Sequence, residues 1–256
     1  MIELKSSREI DRMREAGGMV SAVLQELETM IAPGVTTQEL DRQAEKTIYA
    51  LGGEPAFKGY RGYPASICTS VNEEVVHGIP GRRVLKEGDI VGIDVGVRLS
   101  GYYGDSAVTF PVGDINEATR LLLQVTYQAL VAGIGKAVAG NRIGDIASAV
   151  QHVAESSGYA VVRDFVGHGI GSEMHQDPQV PNFGEPHQGA LLKKGMALAI
   201  EPMVNVGTYE VEILPDGWTV ITKDRKRSCH FEHTVSIGEG EPEILTAWHL
   251  KKNPLK

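Results

Sequence analysis

The sequence predicts an α+β domain of two related halves, with mainly antiparallel strands flanked by helices. Three observations predict it. Two amphipathic helices open the chain and lead into an alternating, β-branched run that turns back on itself. A second helix pair and a second group of strands follow in the same order. The two sets keep a fixed spacing. Leu85-Lys86-Glu87-Gly88 leads into Ile93-Asp94, and Leu192-Lys193-Lys194-Gly195 leads into Ile200-Glu201, 107 residues later. Upstream, Gly34, Leu40 and Gly52 match Gly140, Ile146 and Gly158 at an offset of 106. Such a pattern reads as a duplication within one domain spanning 1–256. Its halves would run over about 1–113 and 114–240, followed by a short tail. A repeat with two copies is too short for a solenoid. A pseudo-two-fold arrangement would place a site on the axis between the halves.

Each element has a local reason. Ser6-Ser7-Arg8-Glu9 forms a capping box, and Ile10, Met13, Val20, Leu24 and Leu27 recur at helical spacing. Pro33-Gly34 stops this helix. Thr36-Thr37-Gln38-Glu39 starts the next, with Leu40, Ala44, Ile48 and Leu51 on one face and Gly52-Gly53 as terminator. Ile90 to Val97 alternates as a strand, Leu99-Ser100-Gly101 is a turn, and Tyr102 to Phe110 is the return strand. Asn116 to Ala139 reads as a long helix ended by Gly140-Asn141, and Ile146, Val150 and Val153 mark a helix ended by Gly158. Strands are expected over Ala160–Val166, Met196–Val206, Trp218–Thr222 and Ser228–Ile237.

The composition narrows the function classes. Hydrophobic residues make up 42% and charged residues 23% of the 256 residues, as in globular proteins. With 25 Lys and Arg against 33 Asp and Glu, the net charge is −8, which does not suit broad nucleic-acid binding. No apolar run reaches the roughly 20 residues of a membrane span. Met1-Ile2-Glu3-Leu4-Lys5-Ser6 does not resemble a signal peptide. Cys68 and Cys229 are too few for a disulfide framework. A cytoplasmic protein with no membrane partner is expected.

The chemistry begins with acids on strands. A turn centred on Leu99-Ser100 makes Asp94 and Asp105 a direct cross-strand pair. A turn centred on Ser100-Gly101 makes them diagonal neighbours on the same face, and a three-residue loop splits them onto opposite faces. The expectation is a two-residue turn at either centre, which keeps both acids on one face. Like charges in that position destabilise a sheet, and a bound cation relieves the repulsion. Gly92, Asp94 and Gly96 share one face, opposite Val91, Ile93, Val95 and Val97. Ala197, Ala199 and Glu201 share another. Ser228, His230, Glu232, Thr234 and Ser236 form a polar face opposite Cys229, Phe231, Val235 and Ile237. A single strand acid is commonly just exposed. Three strands that set acids among small or polar residues suggest a lined site instead. Phe165-Val166-Gly167-His168-Gly169-Ile170-Gly171 places a histidine in a flexible glycine-dense loop, with His175 beyond it and His77 in Val76-His77-Gly78-Ile79-Pro80. Four carboxylates and one imidazole suit two divalent ions such as Co, Mn, Fe or Zn. Paired ions of this kind make a nucleophile from water near neutral pH.

These residues carry a resemblance. Gly62-Tyr63-Pro64, Asn72-Glu73-Glu74-Val75-Val76-His77-Gly78-Ile79-Pro80, Gly88-Asp89-Ile90-Val91-Gly92-Ile93-Asp94, Gly104-Asp105-Ser106, Gly167-His168-Gly169-Ile170-Gly171, Glu201-Pro202 and Phe231-Glu232-His233-Thr234 together resemble type I methionine aminopeptidases in their short bacterial form. Those enzymes have the pita-bread fold, a curved and mainly antiparallel sheet with flanking helices. The resemblance spans about Ile10 to Ile237. It implies two divalent metal ions held by Asp94, Asp105, His168, Glu201 and Glu232, with Asp105 and Glu232 shared. It implies that Glu201 shuttles a proton, His175 stabilises the tetrahedral oxyanion and His77 contacts the scissile amide nitrogen.

The resemblance also implies a methionine pocket from Phe57, Tyr60, Tyr63, Cys68, Met174 and Trp218. Phe57 stands where some bacterial relatives carry cysteine and Met174 where they carry phenylalanine, which leaves the wall apolar. A monovalent cation, Na or K, near Asn72, Glu74 and Ser228 is a further implication. So are nascent polypeptide N-termini with a small second residue as substrate, a monomeric state, and a transient ribosome contact. The basic run Lys223, Arg225, Lys226 and Arg227 would make that contact through RNA phosphates. Two rival readings are a proline-directed aminopeptidase of the same fold and a non-catalytic binding protein. The former usually carries a large N-terminal domain, and the latter would have lost the ligand positions that are intact here.

Overall fold

The structure is a computed structural model that describes residues 2–248. Helices α1 (Ser7–Met30) and α2 (Thr37–Ala50) come first. Both begin with capping boxes, Ser6 with Glu9 and Thr36 with Glu39. Strands β1 (Glu54–Pro55), β2 (Cys68–Val71), β3 (Glu74–Val76), β4 (Ile90–Leu99) and β5 (Tyr102–Pro111) follow, then α3 (Glu117–Ile134) and α4 (Ile143–Ser156). The remainder is β6 (Ala160–Val161), β7 (Gly167–Gly169), β8 (Gln176–Val180), β9 (Ala197–Ile200), β10 (Met203–Asn205), β11 (Val211–Ile213), β12 (Val220–Thr222), β13 (Ser228–His230), β14 (His233–Ser236) and β15 (Glu243–Ile244).

The described strand pairs are all antiparallel. β1, β2 and β5 join β4, while β15, β14, β9, β7 and β8 run side by side in that order. β10 lies between β13 and β6, and β12 between β11 and β3. Helix α1 packs on β4 and β5, and α3 packs on α4. The main core runs beneath both helix pairs, from Val20, Leu24 and Leu27 through Ile93 and Val95 to Leu122, Val150 and Leu198.

Several expected elements differ in extent. The β4–β5 turn is centred on Ser100-Gly101, so Asp94 faces Ala107 and Gly96 faces Asp105. Of the two same-face arrangements, the diagonal one therefore forms, and Asp94 and Asp105 share a face without pairing directly. Ser100 (φ 51) and Gly101 (φ 84) are both left-handed, the signature of the primed two-residue turn that matches strand twist. Helix α3 stops at Ile134, five residues before Ala139, because Gly133 and Gly135 flank its end. Only Ala160–Val161 of the expected Ala160–Val166 strand forms. Trp218 precedes β12 rather than opening it.

The two longest late strands are each interrupted. β9 and β10 break at Glu201-Pro202, and β14 and β13 break at Phe231-Glu232. Ile200 pairs with His233 and Met203 with His230, so the register continues across the gap and sets Glu201 opposite Glu232. Proline at 202 cannot donate to the ladder. Its carbonyl still accepts from Phe231 N at 3.4 Å.

Hydrogen bonds recur at the spacing noted in the sequence. Gly34 N donates to Leu85 O at 2.8 Å, and Gly140 N to Leu192 O at 3.0 Å. Gln38 N donates to Gly81 O, and Gly144 N to Gln188 O, both at 2.9 Å. The isolated bridges Thr36–Val84 and Arg142–Leu191 correspond in the same way.

Candidate metal centre and catalytic cavity

Two hydroxyls tie β5 to the region of the broken strands. Thr234 Oγ1 donates to Asp105 O at 2.8 Å, and Asp105 N donates back to Thr234 Oγ1 at 3.2 Å. Ser106 Oγ donates to Glu232 O at 2.5 Å, and Glu232 N donates to Ala107 O at 2.9 Å. These bonds bring acids from distant parts of the chain into one buried cluster. Asn182 Nδ2 adds a donor to Glu201 O at 3.0 Å, holding the backbone at the break.

His168 belongs to β7, not to a flexible loop, and is 7% exposed. A side chain at Gly167 would collide with Ala199 O, so the glycine permits close strand pairing. His168 Nδ1 lies 3.0 Å from Gly169 O. A carbonyl only accepts, so the proton sits on Nδ1 and the Nε2 lone pair faces the acids. Nε2 is 3.9 Å from Asp105 Oδ2 and 3.7 Å from Glu201 Oε1. One ligand atom each from Asp105, His168 and Glu232 lies within 4.8 Å of the others.

The electrostatics suit a cation. Asp94 Oδ1, Asp105 Oδ1 and Glu232 Oε1 are buried without a hydrogen-bond partner. Burial raises the carboxyl of Asp94 to about 7. Burial, then the charges of Glu232 and Asp94, holds Asp105 well above the carboxylate range. Glu201 is raised by burial and by Asp94 and Asp105, and Glu232 by burial and by Glu201 and Asp94. Ionising such acids together without a counter-charge is costly. Asp105, His168 and Glu232 would hold a divalent ion, which would satisfy the free Asp105 and Glu232 oxygens and offset the repulsion. Oxygen donors with one imidazole fit a hard or borderline metal.

A cavity of about 140 Å³ opens beside this cluster. It is lined by Phe57, Tyr60, Arg61, Tyr63, Cys68, His77, Met174, His175 and Trp218 together with Asp94, Asp105, His168, Glu201 and Glu232. That volume is close to the ~150 Å³ apolar cavity that admits a benzene-sized ligand. Tyr63 OH shares its one proton between Ile67 O at 3.1 Å and Gly78 O at 3.0 Å, and its ring meets Trp218 edge-on at 5.1 Å. Cys68 pairs with Asp94 across β2–β4. Burial and that carboxylate push its thiol far up, so it is wall, not nucleophile.

The two remaining histidines stay neutral. Burial, then His175, lowers His77 to about 4. Burial, then Arg61, lowers His175 to about 4. Tyr60 OH lies 2.9 Å from His175 Nδ1. With the phenol donating there, the His175 proton sits on Nε2 and is available to a ligand. His77 has φ 59 and abuts Phe165 at 5.6 Å and Trp218 at 6.4 Å between ring centroids.

Every expected metal, catalytic and pocket residue thus borders one cavity. The monovalent-cation trio meets through its backbone, where Ser228 N donates to Asn72 O at 2.8 Å, but its side chains do not converge. Asn72 bonds Asp89 and Ile90, and the two oxygens of Glu74 accept from Val71 N and Arg83. Ser228 Oγ faces Val204 O at 3.4 Å. Two residues near the site were not singled out in the sequence. Arg61 stands at φ 49 with its guanidinium 5.3 Å from the Tyr60 ring, and its position between Tyr60 and Tyr63 was the available signal. His230 was assigned to the polar face with Glu232, but its approach to Glu201 depends on the break at Pro202.

Comparison with known proteins agrees with this geometry. Residues 11–239 match the model of metallopeptidase family M24. A methionine aminopeptidase of Clostridium acetobutylicum is 54% identical over 247 residues, covering 96% of this chain and 99% of that one. Methionine aminopeptidase 1 of Bacillus subtilis is 52% identical over 246 residues, with 96% and 99% covered. The crystal structure of the Thermotoga maritima methionine aminopeptidase superposes with a TM-score of 0.95 at 47% identity, over 96% of this chain and 99% of that one. The chain belongs to metallopeptidase family M24 and, within it, to the methionine aminopeptidases.

Proposed function

We propose that this metal-dependent peptidase removes the N-terminal methionine from nascent polypeptides whose second residue is small. One observation carries the reading: the Asp105–His168–Glu232 cluster borders an apolar cavity that also receives His77 and His175. Asp94 and Glu201 would complete a two-ion site with Asp105, His168 and Glu232. When bound, such ions polarise the scissile carbonyl and acidify a water. The chain's own groups then divide the work. Glu201, already raised by burial and its acidic neighbours, takes a proton from water at a carboxylate oxygen and delivers it to the leaving amine. His175 Nε2–H donates to the developing oxyanion. His77 contacts the scissile amide nitrogen. Phe57, Tyr60, Tyr63, Cys68, Met174 and Trp218 receive the methionine side chain.

The decisive experiment is turnover of Met-Ala-Ser after chelation and after readdition of Co, Mn, Fe or Zn singly. Methionine release restored by a metal supports the reading. Release only from Xaa-Pro peptides points to a proline-directed enzyme, and none from either points to a binding protein.

Pocket shape gives a second expectation. A side-chain carbon at Gly96 would sit 2.5 Å from Phe57 Cε1. Gly96→Ala is expected to push the Phe57 ring, lowering stability by about 1–3 kcal/mol. KM for Met-Ala-Ser should rise more than kcat falls. An unchanged KM in steady-state assays would take Phe57 out of the pocket.

We further propose one domain of two pseudo-symmetric halves, supported by the hydrogen bonds that recur at the repeat spacing. A monovalent cation near Asn72, Glu74 and Ser228 would rely on main-chain carbonyls, since the Asn72 and Glu74 side chains have protein partners. No described helix is long and apolar enough to cross a membrane, and a monomer working in the cytoplasm is the proposed setting. A ribosome contact through the basic run competes with internal partners. Lys223 pairs with Glu210 at 3.4 Å and Arg225 with Glu212 at 2.6 Å, while Arg227 bonds Thr119 and Gly88 O. Lys223→Glu with Lys226→Glu should reduce co-sedimentation with ribosomes at low salt. Unchanged co-sedimentation would exclude this loop.

A further inference from the structure

We infer that His230 is a positioning residue for Glu201, donating from Nε2–H to the Oε2 atom of that carboxylate. The inference deepens the proposed function, because it rests on Glu201 being a metal ligand and proton carrier.

Glu201 sits between two imidazoles. Its Oε1 is 3.7 Å from His168 Nε2, and its Oε2 is 3.7 Å from His230 Nε2. His168 belongs to the ligand cluster and His230 does not. His230 Nε2 is buried and has no hydrogen-bond partner. A buried polar group left unpaired costs about 1–3 kcal/mol, and the carboxylate oxygen beside it is a natural acceptor. Closing the gap by about 0.7 Å gives an ordinary hydrogen bond.

The backbone keeps the ring in this place. Thr109 Oγ1 donates to His230 O at 2.7 Å, and His230 N donates to Thr109 Oγ1 at 3.1 Å. β13 also pairs His230 with Met203, directly beyond the Glu201-Pro202 break. The imidazole is therefore aimed at the carboxylate from a fixed strand, while Asn182 fixes the Glu201 carbonyl from the other side. Holding Oε2 leaves Oε1, the oxygen facing His168, as the ligand atom. Outer hydrogen bonds of this kind orient a ligating carboxylate, and their loss typically costs 10–100-fold in metal affinity.

The test compares the parent, His230→Leu, His230→Gln and Glu201→Gln. Each is chelated and titrated with Mn²⁺ by calorimetry, then assayed on Met-Ala-Ser. His230→Leu should bind Mn²⁺ about 10–100-fold more weakly and lose kcat with little change in KM. His230→Gln, whose amide also donates, should stay within about threefold of the parent. If His230→Leu binds like the parent while Glu201→Gln is weakened, the inference fails and the site survives. If Glu201→Gln also binds like the parent, the Glu201 ligand assignment itself fails. Equal losses in His230→Leu and His230→Gln overturn the donor role. Independently of any variant's folding, ¹⁵N-histidine NMR of the Zn²⁺-loaded parent should report the Nε2–H tautomer at His230. An Nδ1–H tautomer overturns the inference.

Discussion

Asp105→Asn is expected to lower Met-Ala-Ser turnover by about three orders of magnitude or more, while the chelated protein unfolds at a higher temperature than its parent. The first half follows from its position. Asp105 is 4% exposed, lies in the Asp105–His168–Glu232 cluster and has a buried oxygen without a partner. Asparagine keeps the shape and removes the charge that a divalent ion needs. About 4 kcal/mol of lost transition-state stabilisation corresponds to that thousandfold drop.

The second half follows from the neighbours. Glu232 and Asp94 both raise the Asp105 carboxyl, so without metal the three acids oppose one another. Removing one like-charge contact contributes on the order of 1 kcal/mol, or about 2–4 °C in a chain of this size. Steady-state kinetics at saturating metal and a thermal melt after chelation check both halves. Retention of a tenth of the activity would remove Asp105 from the metal site. Loss of stability together with activity would make it a structural acid.

What the sequence could reveal depended on whether a feature is local. The capping boxes at Ser6 and Thr36 and the hairpin from Ile90 are decided by neighbouring residues, and they form as the spacing indicates. The acids were legible for the same reason, since alternation alone sets Asp94 among glycines and Glu232 on a polar face. Register is less local. Two turn centres fit Leu99-Ser100-Gly101, and only the left-handed backbone at Ser100 and Gly101 selects between them.

The strand breaks at Glu201-Pro202 and Phe231-Glu232 were harder still. Each run keeps its alternation through the gap, so periodicity reads one strand where there are two. Their opposition is a tertiary fact, and it is what sets the two glutamates face to face. His168 shows the opposite error. Its flanking glycines look like loop residues but serve close strand pairing, where a side chain at Gly167 would meet Ala199 O. Arg61 and His230 gain their significance only once Tyr60, His175 and Glu201 are in place.

Metal removal should destabilise the protein most at alkaline pH, because the site's two sets of titrating groups push in opposite directions. Four buried carboxylates, Asp94, Asp105, Glu201 and Glu232, are raised above their ordinary values. For such groups the folded state holds protons that the unfolded state has released. Stability is therefore lost as pH rises from about 4 through 7 for Asp94, and the other three act in the same direction. Five imidazoles, the buried His168, His230 and His233, the half-buried His77 and the more exposed His175, are lowered to about 3–4. Their contribution is complete above about 6.5 and is lost as pH falls below it. Below about 6.5 the two trends oppose each other. Above 6.5 only the carboxylates still act, and the chelated protein should weaken steadily. Divalent ions reverse this by binding the ionised acids, so their stabilising effect grows with pH. At a hundred times the dissociation constant the gain is about 2.7 kcal/mol, or about 5–10 °C here. Thermal unfolding by circular dichroism, from pH 4 to 8.5 with and without Mn²⁺, measures both curves. A chelated protein as stable at pH 8 as at pH 6, or an equal Mn²⁺ shift at both, would show that these carboxylates do not carry the charge that the metal neutralises.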